Sequence, residues 1–196
     1  MIKAVVFDFD GTLIDSTESI WKEYKNVANK MGLKGISYKE FKAQLGKPWD
    51  KVLKTLWPNV DVSEFSKIYR QDKEDTKLIA HVPETLDTLS KTYRLALLTS
   101  RGGKTLSKII KSCGITEDRF EVIIHKDTLT SHKPDPKALK HLLNIMKLKP
   151  DEVVYVGDSI VDAEFAKASN VLFVGVLTGG ATKKEFESLG VKHIIT

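Results

Sequence analysis

The sequence predicts an α/β fold in which a doubly wound parallel sheet carries an inserted small α-helical domain. Short apolar runs alternate with amphipathic helical patterns over most of the 196 residues. This alternation is typical of parallel strands joined by right-handed helical crossovers. Between about residues 16 and 81 only helical patterns occur, without a strand-like run. We therefore expect an α/β core domain formed by residues 1–15 and 82–196 and a helical cap domain formed by residues 16–81.

Six apolar runs have the length and composition of buried strands. They cover residues 2–7, 95–98, 120–124, 153–156, 171–176 and 194–195. Helical periodicity separates them, most clearly at residues 104–112, before Gly114, and at residues 136–146, which start with a proline. The order of these patterns favours one parallel sheet packed between helices.

Successive helical patterns fill the predicted cap domain. Apolar residues recur at helical spacing over residues 20–31, and Ser37 and Glu40 form a capping box before the second helix. The third helix is closed by Pro58, and a fourth, more charged helix continues beyond Asp72. The insertion leaves the sheet just after the first strand, so we expect it to cover that strand's carboxyl end and to hinge at its two junctions with the core.

Composition and charge exclude several classes of protein. The 31 Lys and Arg residues and 26 Asp and Glu residues are spread along the chain, which disfavours a nucleic-acid partner because no basic stripe forms. The single cysteine, Cys113, excludes an intramolecular disulfide, and no apolar run is long enough to span a membrane. Without a signal-peptide pattern, these features predict a cytoplasmic protein with no membrane partner. The oligomeric state is left open between a monomer and a weak dimer.

Two carboxylates follow the first predicted strand, at the edge of a parallel sheet where ligands bind. Asp8 and Asp10 are separated by one residue, so in an extended chain both side chains leave on the same side. Two carboxylates this close repel each other, which indicates a bound cation or a shifted pKa. A solvated acidic turn built on Asp10 and Gly11 is the plainer alternative.

Two further strand ends carry groups that suit phosphate. Thr99 and Ser100 follow the strand at residues 95–98 and precede a helix, where hydroxyls and backbone N–H groups can donate to phosphate oxygens. An ordinary capping loop is the alternative interpretation. Lys133 lies next to Pro134, which restricts the backbone and favours a fixed position for the lysine, although a solvated loop lysine would fit the same sequence.

The strand at residues 153–156 also ends in acidic residues. Asp158 follows it directly and is placed to face the same point as Asp8, and Asp162 lies about one helical turn later. Asp162 either supports a ligand at this point or, more simply, is an acid in the first turn of a helix that interacts favourably with the helix dipole. The loop between two cap helices is placed above this site and carries Gly46, Lys47 and Trp49.

Taken in order, these residues resemble the four motifs of the haloacid dehalogenase (HAD) superfamily of phosphotransferases. The motifs are Asp8-x-Asp10-Gly11-Thr12, Thr99 after an apolar strand, Lys133-Pro134 and Gly157-Asp158-Ser159-x-x-Asp162. The helical insertion is similar to the small cap of the phosphoglycolate phosphatase and β-phosphoglucomutase branch. The resemblance implies a Rossmann-like core and a Mg²⁺-dependent phosphatase that acts on a small phosphorylated metabolite, similar to phosphoglycolate.

The same resemblance implies roles for the acidic residues. Asp8 would be the nucleophile that forms an aspartyl-phosphate, and Asp10 would be the general acid and base. Mg²⁺ would be bound by Asp8, by the backbone carbonyl of Asp10 and by Asp158. Asp162 would support the water shell of the metal or Lys133.

The remaining motif residues and the cap loop receive roles in binding. Thr99, with Ser100 beside it, and Lys133 would contact the phosphoryl oxygens, and the cap loop would contact the organic part of the substrate. Two residues depart from the family pattern. Many relatives have Asn after the Thr or Ser of the second motif, whereas this chain has Ser100 and then Arg101, and Gly157 replaces a second acid before Asp158. The role of Arg101 is therefore left open, and fewer charged metal ligands are expected.

Two alternative functions fit parts of the sequence. A phosphomutase of the β-phosphoglucomutase type would use the same nucleophile, but it must exclude water while a phosphosugar intermediate reorients. A signalling receiver domain also takes phosphate on an aspartate in a doubly wound sheet. Such a domain is normally shorter, lacks the inserted helices and needs no acid at the position of Asp10.

Overall fold

The computed structural model describes residues 1–47, 49–69, 76–129 and 131–196. The strands are β1 (Ala4–Phe7), β2 (Ile14–Asp15), β3 (Lys77–Leu78), β4 (Arg94–Leu98), β5 (Val122–Ile124), β6 (Val153–Gly157), β7 (Leu172–Val176) and β8 (His193–Ile195). The α-helices are α1 (Thr17–Lys30), α2 (Tyr38–Lys42), α3 (Trp49–Leu56), α4 (Val62–Ile68), α5 (Val82–Ser90), α6 (Gly103–Ser112), α7 (Lys137–Met146), α8 (Ile160–Ala168) and α9 (Lys183–Ser188).

A parallel sheet forms the centre of the molecule. Within the described residues it contains six strands in the order β5-β4-β1-β6-β7-β8, and every neighbouring pair is parallel. The chain moves outward from β1 first through β4 and β5 and later through β6, β7 and β8. The strand order therefore reverses beside β1, which is where doubly wound sheets bind ligands. The predicted fold class is confirmed.

Alternate residues of each strand point to opposite faces of the sheet, and both faces are buried. Val5 and Phe7 pack with side chains of α5 and α6 on one face, and Ala4 and Val6 pack with side chains of α7, α8 and α9 on the other. A strand covered on both faces contains apolar residues at every position, which explains the uninterrupted apolar run that the sequence shows before Asp8.

Helices α1–α4 form a separate hydrophobic cluster. Tyr24, on α1, lies at its centre and has its ring 5.1 Å from that of Phe41, on α2, and 5.4 Å from that of Phe65, on α4. Trp49 and Trp57 complete this aromatic group. The cluster shares no buried residue with the two clusters of the sheet. The boundaries of the cap at residues 16 and 81 stay a prediction.

The expectation that residues 16–81 contain no strand was wrong. Strand β3 lies within this range and pairs antiparallel with β2, with Ile14 opposite Leu78, and the backbone N–H of Ile79 donates to the carbonyl of Leu13 at 3.0 Å. Two-residue strands are too short to show a period-2 pattern, so no sequence pattern indicated them. The predicted continuation of the fourth helix from Asp72 falls outside the described residues.

No helix in the described part of the chain has both the length and the apolarity needed to cross a bilayer.

The separate aromatic cluster leads to a prediction about local stability. Phe65→Ala should destabilise α1–α4 by about 3–5 kcal/mol, the usual cost of truncating a buried phenylalanine, because Phe65 is fully buried in that cluster. Hydrogen exchange measured by mass spectrometry should show faster exchange in α1–α4 and unchanged exchange in β1, β4 and β6. Leu97→Ala, at a fully buried position of the sheet, serves as the reverse control. Equal loss of protection in both regions would show that they unfold as one unit.

Candidate active site

The predicted strand-end residues meet at one edge of the sheet. Thr99 follows β4, Asp8 follows β1 and Asp158 follows β6, and these three strands are neighbours with β1 in the middle. Parallel strands have all their carboxyl ends at the same edge, so the fold itself brings these residues together. All three side chains are buried.

Lys133 joins two of the carboxylates by direct ion pairs. Its Nζ donates to Asp8 Oδ1 at 2.7 Å, to Asp162 Oδ1 at 2.8 Å and to the hydroxyl of Tyr155 at 2.8 Å. These contacts use all three hydrogens of the ammonium group. Burial alone would lower the pKa of Lys133, but the carboxylates of Asp162 and Asp8 outweigh it and hold this pKa well above its usual range. The lysine is therefore a fixed positive charge beside Asp8.

Three buried carboxylates lie close enough to share a cation. Oxygens of Asp8, Asp158 and Asp162 all lie within 4.8 Å of one another. Burial raises the pKa of Asp8 to about 7, with further contributions from Asp162 and Asp10 that Lys133 partly offsets. Burial, together with Asp162 and Asp8, also raises the pKa of Asp158 well above its usual range. A cation at this point would relieve the mutual repulsion of these groups.

A glycine-rich loop after β7 holds Asp158. The backbone N–H of Gly180 donates to Asp158 Oδ2 at 2.7 Å, and the hydroxyl of Thr12 donates to Oδ1 at 3.3 Å. A Cβ atom on Gly179 would lie 1.8 Å from Asp158 Oδ2, so this position requires glycine. This loop was not predicted from the sequence, although a glycine pair two residues after an apolar strand was a usable signal.

Asp10 lies in the same cavity but makes a different set of contacts. Arg101 donates to both carboxylate oxygens of Asp10, with Nε at 3.0 Å from Oδ2 and Nη2 in contact with Oδ1. Ser16 donates to Oδ1 at 2.6 Å. Burial alone would raise the pKa of Asp10, but the Arg101 guanidinium and Ser16 outweigh it and lower this pKa. The structure thus brings Arg101, whose role the sequence left open, into contact with Asp10.

The remaining predicted residues lie around the same cavity. The Thr99 hydroxyl accepts a hydrogen bond from the backbone N–H of Arg101 at 3.1 Å, and Ser100 is exposed. The first N–H of α6, on Gly103, donates to Asp127 at 2.8 Å. This N–H group is therefore occupied by a side chain, whereas the sequence indicated that the helix N-terminus would donate to phosphate.

The cap and the core together enclose a cavity of about 390 Å³. Gly46 lies so close to the core that a Cβ atom on it would be 2.5 Å from Ser159 Oγ. The cavity is lined by every site residue that the sequence predicted, namely Asp8, Asp10, Gly46, Lys47, Trp49, Thr99, Ser100, Lys133, Asp158 and Asp162. Arg101, Ser16 and His132 line it as well.

Comparison with known proteins agrees with this geometry. A model of the haloacid dehalogenase-like hydrolase family matches residues 5–176. A phosphoglycolate phosphatase from Nitrosospira multiformis is 26% identical over 182 residues, which are 86% of this chain and 80% of the relative. A structure from Bacteroides fragilis, described as a haloacid dehalogenase-like hydrolase, has a TM-score of 0.90 and 30% identity and covers 100% of this chain and 97% of its own. A Thermotoga maritima structure described as a β-phosphoglucomutase covers 100% of this chain and 94% of its own, but at a TM-score of 0.74 and 24% identity it shows only a shared fold.

The family model and the phosphatases among the relatives show that the chain is an enzyme of the phosphatase type. It belongs to the haloacid dehalogenase-like hydrolase family, as its four motifs predicted.

The contact between Arg101 and Asp10 can be tested by stability measurements. Arg101→Met should lower the free energy of unfolding in urea by roughly 3 kcal/mol, because it leaves a carboxylate partly buried without its partner. The value lies at the lower end of the usual range because the Asp10 side chain is 29% exposed. In a double-mutant cycle with Asp10→Asn, the two losses should not add. Arg119→Met, which breaks the more exposed pair with Asp87, should cost less than about 1 kcal/mol. Additive losses at Arg101 and Asp10 would contradict a direct interaction.

Proposed function

We propose that the protein is a Mg²⁺-dependent phosphatase that hydrolyses a small phosphate monoester through an aspartyl-phosphate on Asp8. The observation that carries this proposal is the cluster at the end of β1, where Lys133 contacts Asp8 at 2.7 Å and a second strand-end carboxylate, Asp158, lies within 4.8 Å. A carboxylate nucleophile needs positive charge beside it, since both it and the phosphate are anions.

The residues present fit a divalent cation. The cluster contains three carboxylates and one ammonium group, all buried, so the positive charge is insufficient for three ionised acids. Mg²⁺ prefers oxygen ligands and is usually held by one or two carboxylates. Asp8 and Asp158 are the proposed side-chain ligands, with the backbone carbonyl of Asp10. Asp162 is proposed to support the site, since it holds Lys133 at 2.8 Å and also accepts a hydrogen bond from the Ser159 hydroxyl. When bound, Mg²⁺ would neutralise charge on the phosphoryl oxygens.

The proposed reaction has two steps. In the first, an oxygen of Asp8 attacks phosphorus, an O–P bond to the carboxylate forms and the ester O–P bond breaks, while Asp10 supplies the proton that the leaving oxygen requires. In the second, Asp10 takes a proton from water, whose oxygen attacks the same phosphorus; the O–P bond to Asp8 breaks, inorganic phosphate leaves and the Asp8 carboxylate is restored. The lowered pKa of Asp10 suits the second step, because only the ionised carboxylate can act as a base, and it opposes the first step, which needs the protonated acid. Thr99, with Ser100 beside it, would donate to the phosphoryl oxygens, and Lys133, whose three hydrogens are engaged, would attract them by its charge.

The two alternative functions, a phosphomutase and a receiver domain, differ from this proposal in testable ways. A phosphomutase would return an isomerised sugar phosphate, so free phosphate without isomerised product would argue against it. A receiver domain is disfavoured by the family match and by the inserted helices. The cytoplasmic location, the lack of nucleic-acid and membrane partners, and a monomeric or weakly dimeric state stay predictions.

The roles of the two first-motif acids predict distinct losses of activity. A panel of phosphate esters should be hydrolysed with Mg²⁺ and not with EDTA. Asp8→Asn should lower kcat/KM by at least about 10³-fold, because the nucleophile is lost, and Asp10→Asn by about 10²- to 10⁴-fold, because proton transfer is lost. Asp15→Asn, an exposed acid nearby, is the matched control and should keep wild-type turnover. Wild-type activity of Asp8→Asn would rule out the proposed nucleophile.

The contact between Gly179 and Asp158 predicts an effect on metal affinity. Gly179→Ala should weaken Mg²⁺ binding by roughly 10- to 100-fold, the usual effect of disturbing a residue that orients a metal ligand, because its Cβ would collide with Asp158 Oδ2. Isothermal titration calorimetry measures this without substrate. Gly35→Ala is the control, since a Cβ there meets no atom within 4 Å. Unchanged Mg²⁺ affinity in Gly179→Ala would remove Asp158 from the proposed metal site.

A further inference from the structure

The cap side of the active-site cavity carries an apolar wall formed by Ile20, Tyr24, Phe41, Leu45, Trp49, Val52 and Tyr69. Tyr24, Phe41 and Val52 are buried, and the other four are partly buried against the same cluster. The polar cap residues Thr17, Gln44, Lys47 and Asp50 line the cavity beside this wall. The proposed catalytic residues lie on the opposite, core side. The cavity thus has one charged side and one mainly apolar side.

Three aromatic rings give this wall a fixed shape. The ring of Trp49 lies 4.7 Å from that of Tyr69 and 5.2 Å from that of Tyr24, in edge-to-face arrangements. The indole Nε1 of Trp49 donates to the hydroxyl of Ser66 at 3.2 Å, which orients the ring. Preformed aromatic surfaces of this kind bind apolar groups without much loss of side-chain freedom.

The positive charges around the cavity are not placed to receive a second anion on the cap side. Lys133 is engaged by Asp8 and Asp162, and Arg101 by Asp10. Lys47 and Lys126 also line the cavity, but both are exposed, and Lys47 donates to the side chain of Gln44 at 2.8 Å. A carboxylate seated against the apolar wall would lose its hydration without a buried cation as partner, which is costly.

We propose that the substrate is a phosphate monoester whose organic part is uncharged, apolar and about the size of an aromatic ring. This inference rests on the phosphatase function proposed above and specifies its substrate class. The organic part lies against the apolar wall while the phosphoryl group lies at Asp8. The cavity of about 390 Å³ falls within the range of roughly 300–1,000 Å³ that holds organic ligands, and a two-carbon acid such as that of phosphoglycolate would leave the wall without contact.

The experiment compares three esters with primary alkoxide leaving groups, so that differences in intrinsic reactivity stay small: benzyl phosphate, ethyl phosphate and 2-phosphoglycolate. With Mg²⁺, kcat/KM for benzyl phosphate should exceed that for each of the other two by at least about tenfold, within the range that apolar pocket contacts supply. Trp49→Ala should remove most of the preference for benzyl over ethyl phosphate, and Trp49→Phe should keep it.

A control variant separates substrate contact from cap stability. Trp21 is also a partly buried tryptophan of the cap cluster, with its ring 5.2 Å from that of Tyr38, but it is not among the cavity-lining residues. Trp21→Ala should therefore leave the benzyl-to-ethyl ratio unchanged. Binding of benzylphosphonate and phosphonoacetate to the Mg²⁺-loaded protein, measured by calorimetry, should show the same preference for the aromatic ligand without any turnover.

The outcomes distinguish the two proposals. Preference for phosphoglycolate, or equal rates for benzyl and ethyl phosphate, would overturn the apolar-substrate inference and leave the phosphatase function standing. A loss of the benzyl preference in Trp21→Ala equal to that in Trp49→Ala would also overturn it. If none of the three esters were hydrolysed, the apolar-substrate inference would fail, and the phosphatase function would fail only if the wider panel of esters also gave no hydrolysis. Tighter binding of phosphonoacetate than of benzylphosphonate would overturn the assignment of the wall.

Discussion

The ion pairs of Lys133 with Asp8 and Asp162 are the interaction on which the site depends. Both carboxylates and the lysine are buried, and an unpaired charge at such a position would cost several kcal/mol. Lys133 lies in the segment between β5 and α7, Asp8 follows the end of β1, and Asp162 lies at the start of α8. One ammonium group thus connects three parts of the chain that are far apart in sequence. The sheet brings the two carboxylates close together, and the ion pairs with Lys133 stabilise them there.

The excess of negative charge around Lys133 explains several neighbouring features. Asp158 receives backbone and hydroxyl hydrogen bonds from Gly180 and Thr12, which stabilise a carboxylate but cannot neutralise it. Asp10 lies close by but is held by Arg101, which gives this acid its own counter-charge. Burial raises the pKa of Asp8 to about 7 while the pKa of Asp10 is lowered. Two acids two positions apart in the sequence thus have different environments and opposite pKa shifts.

Local sequence patterns predicted the sheet and the residues at its strand ends. Apolar runs identify buried strands, and parallel pairing places all their carboxyl ends at one edge, so the meeting of Asp8, Thr99 and Asp158 follows from periodicity and chain order. Contacts that depend on side-chain reach were not predictable. The pairing of Arg101 with Asp10 spans 91 positions in the sequence, and no local pattern indicates it. The short pair of β2 and β3 was missed for a similar reason, since two residues carry no period.

The two sides of the cavity come from parts of the chain with different constraints. The charged side is built on the sheet, where the positions of Asp8 and Asp158 are fixed by strand register and by glycines that permit no side chain. The apolar side is built on α1–α4, whose aromatic residues pack in a cluster of their own. A ring facing the cavity can be exchanged for another apolar side chain at moderate cost to that cluster, without moving a carboxylate. The fold therefore separates the carboxylate proposed to react with phosphate from the surface proposed to contact the organic part, and the two parts meet where Gly46 lies close to Ser159.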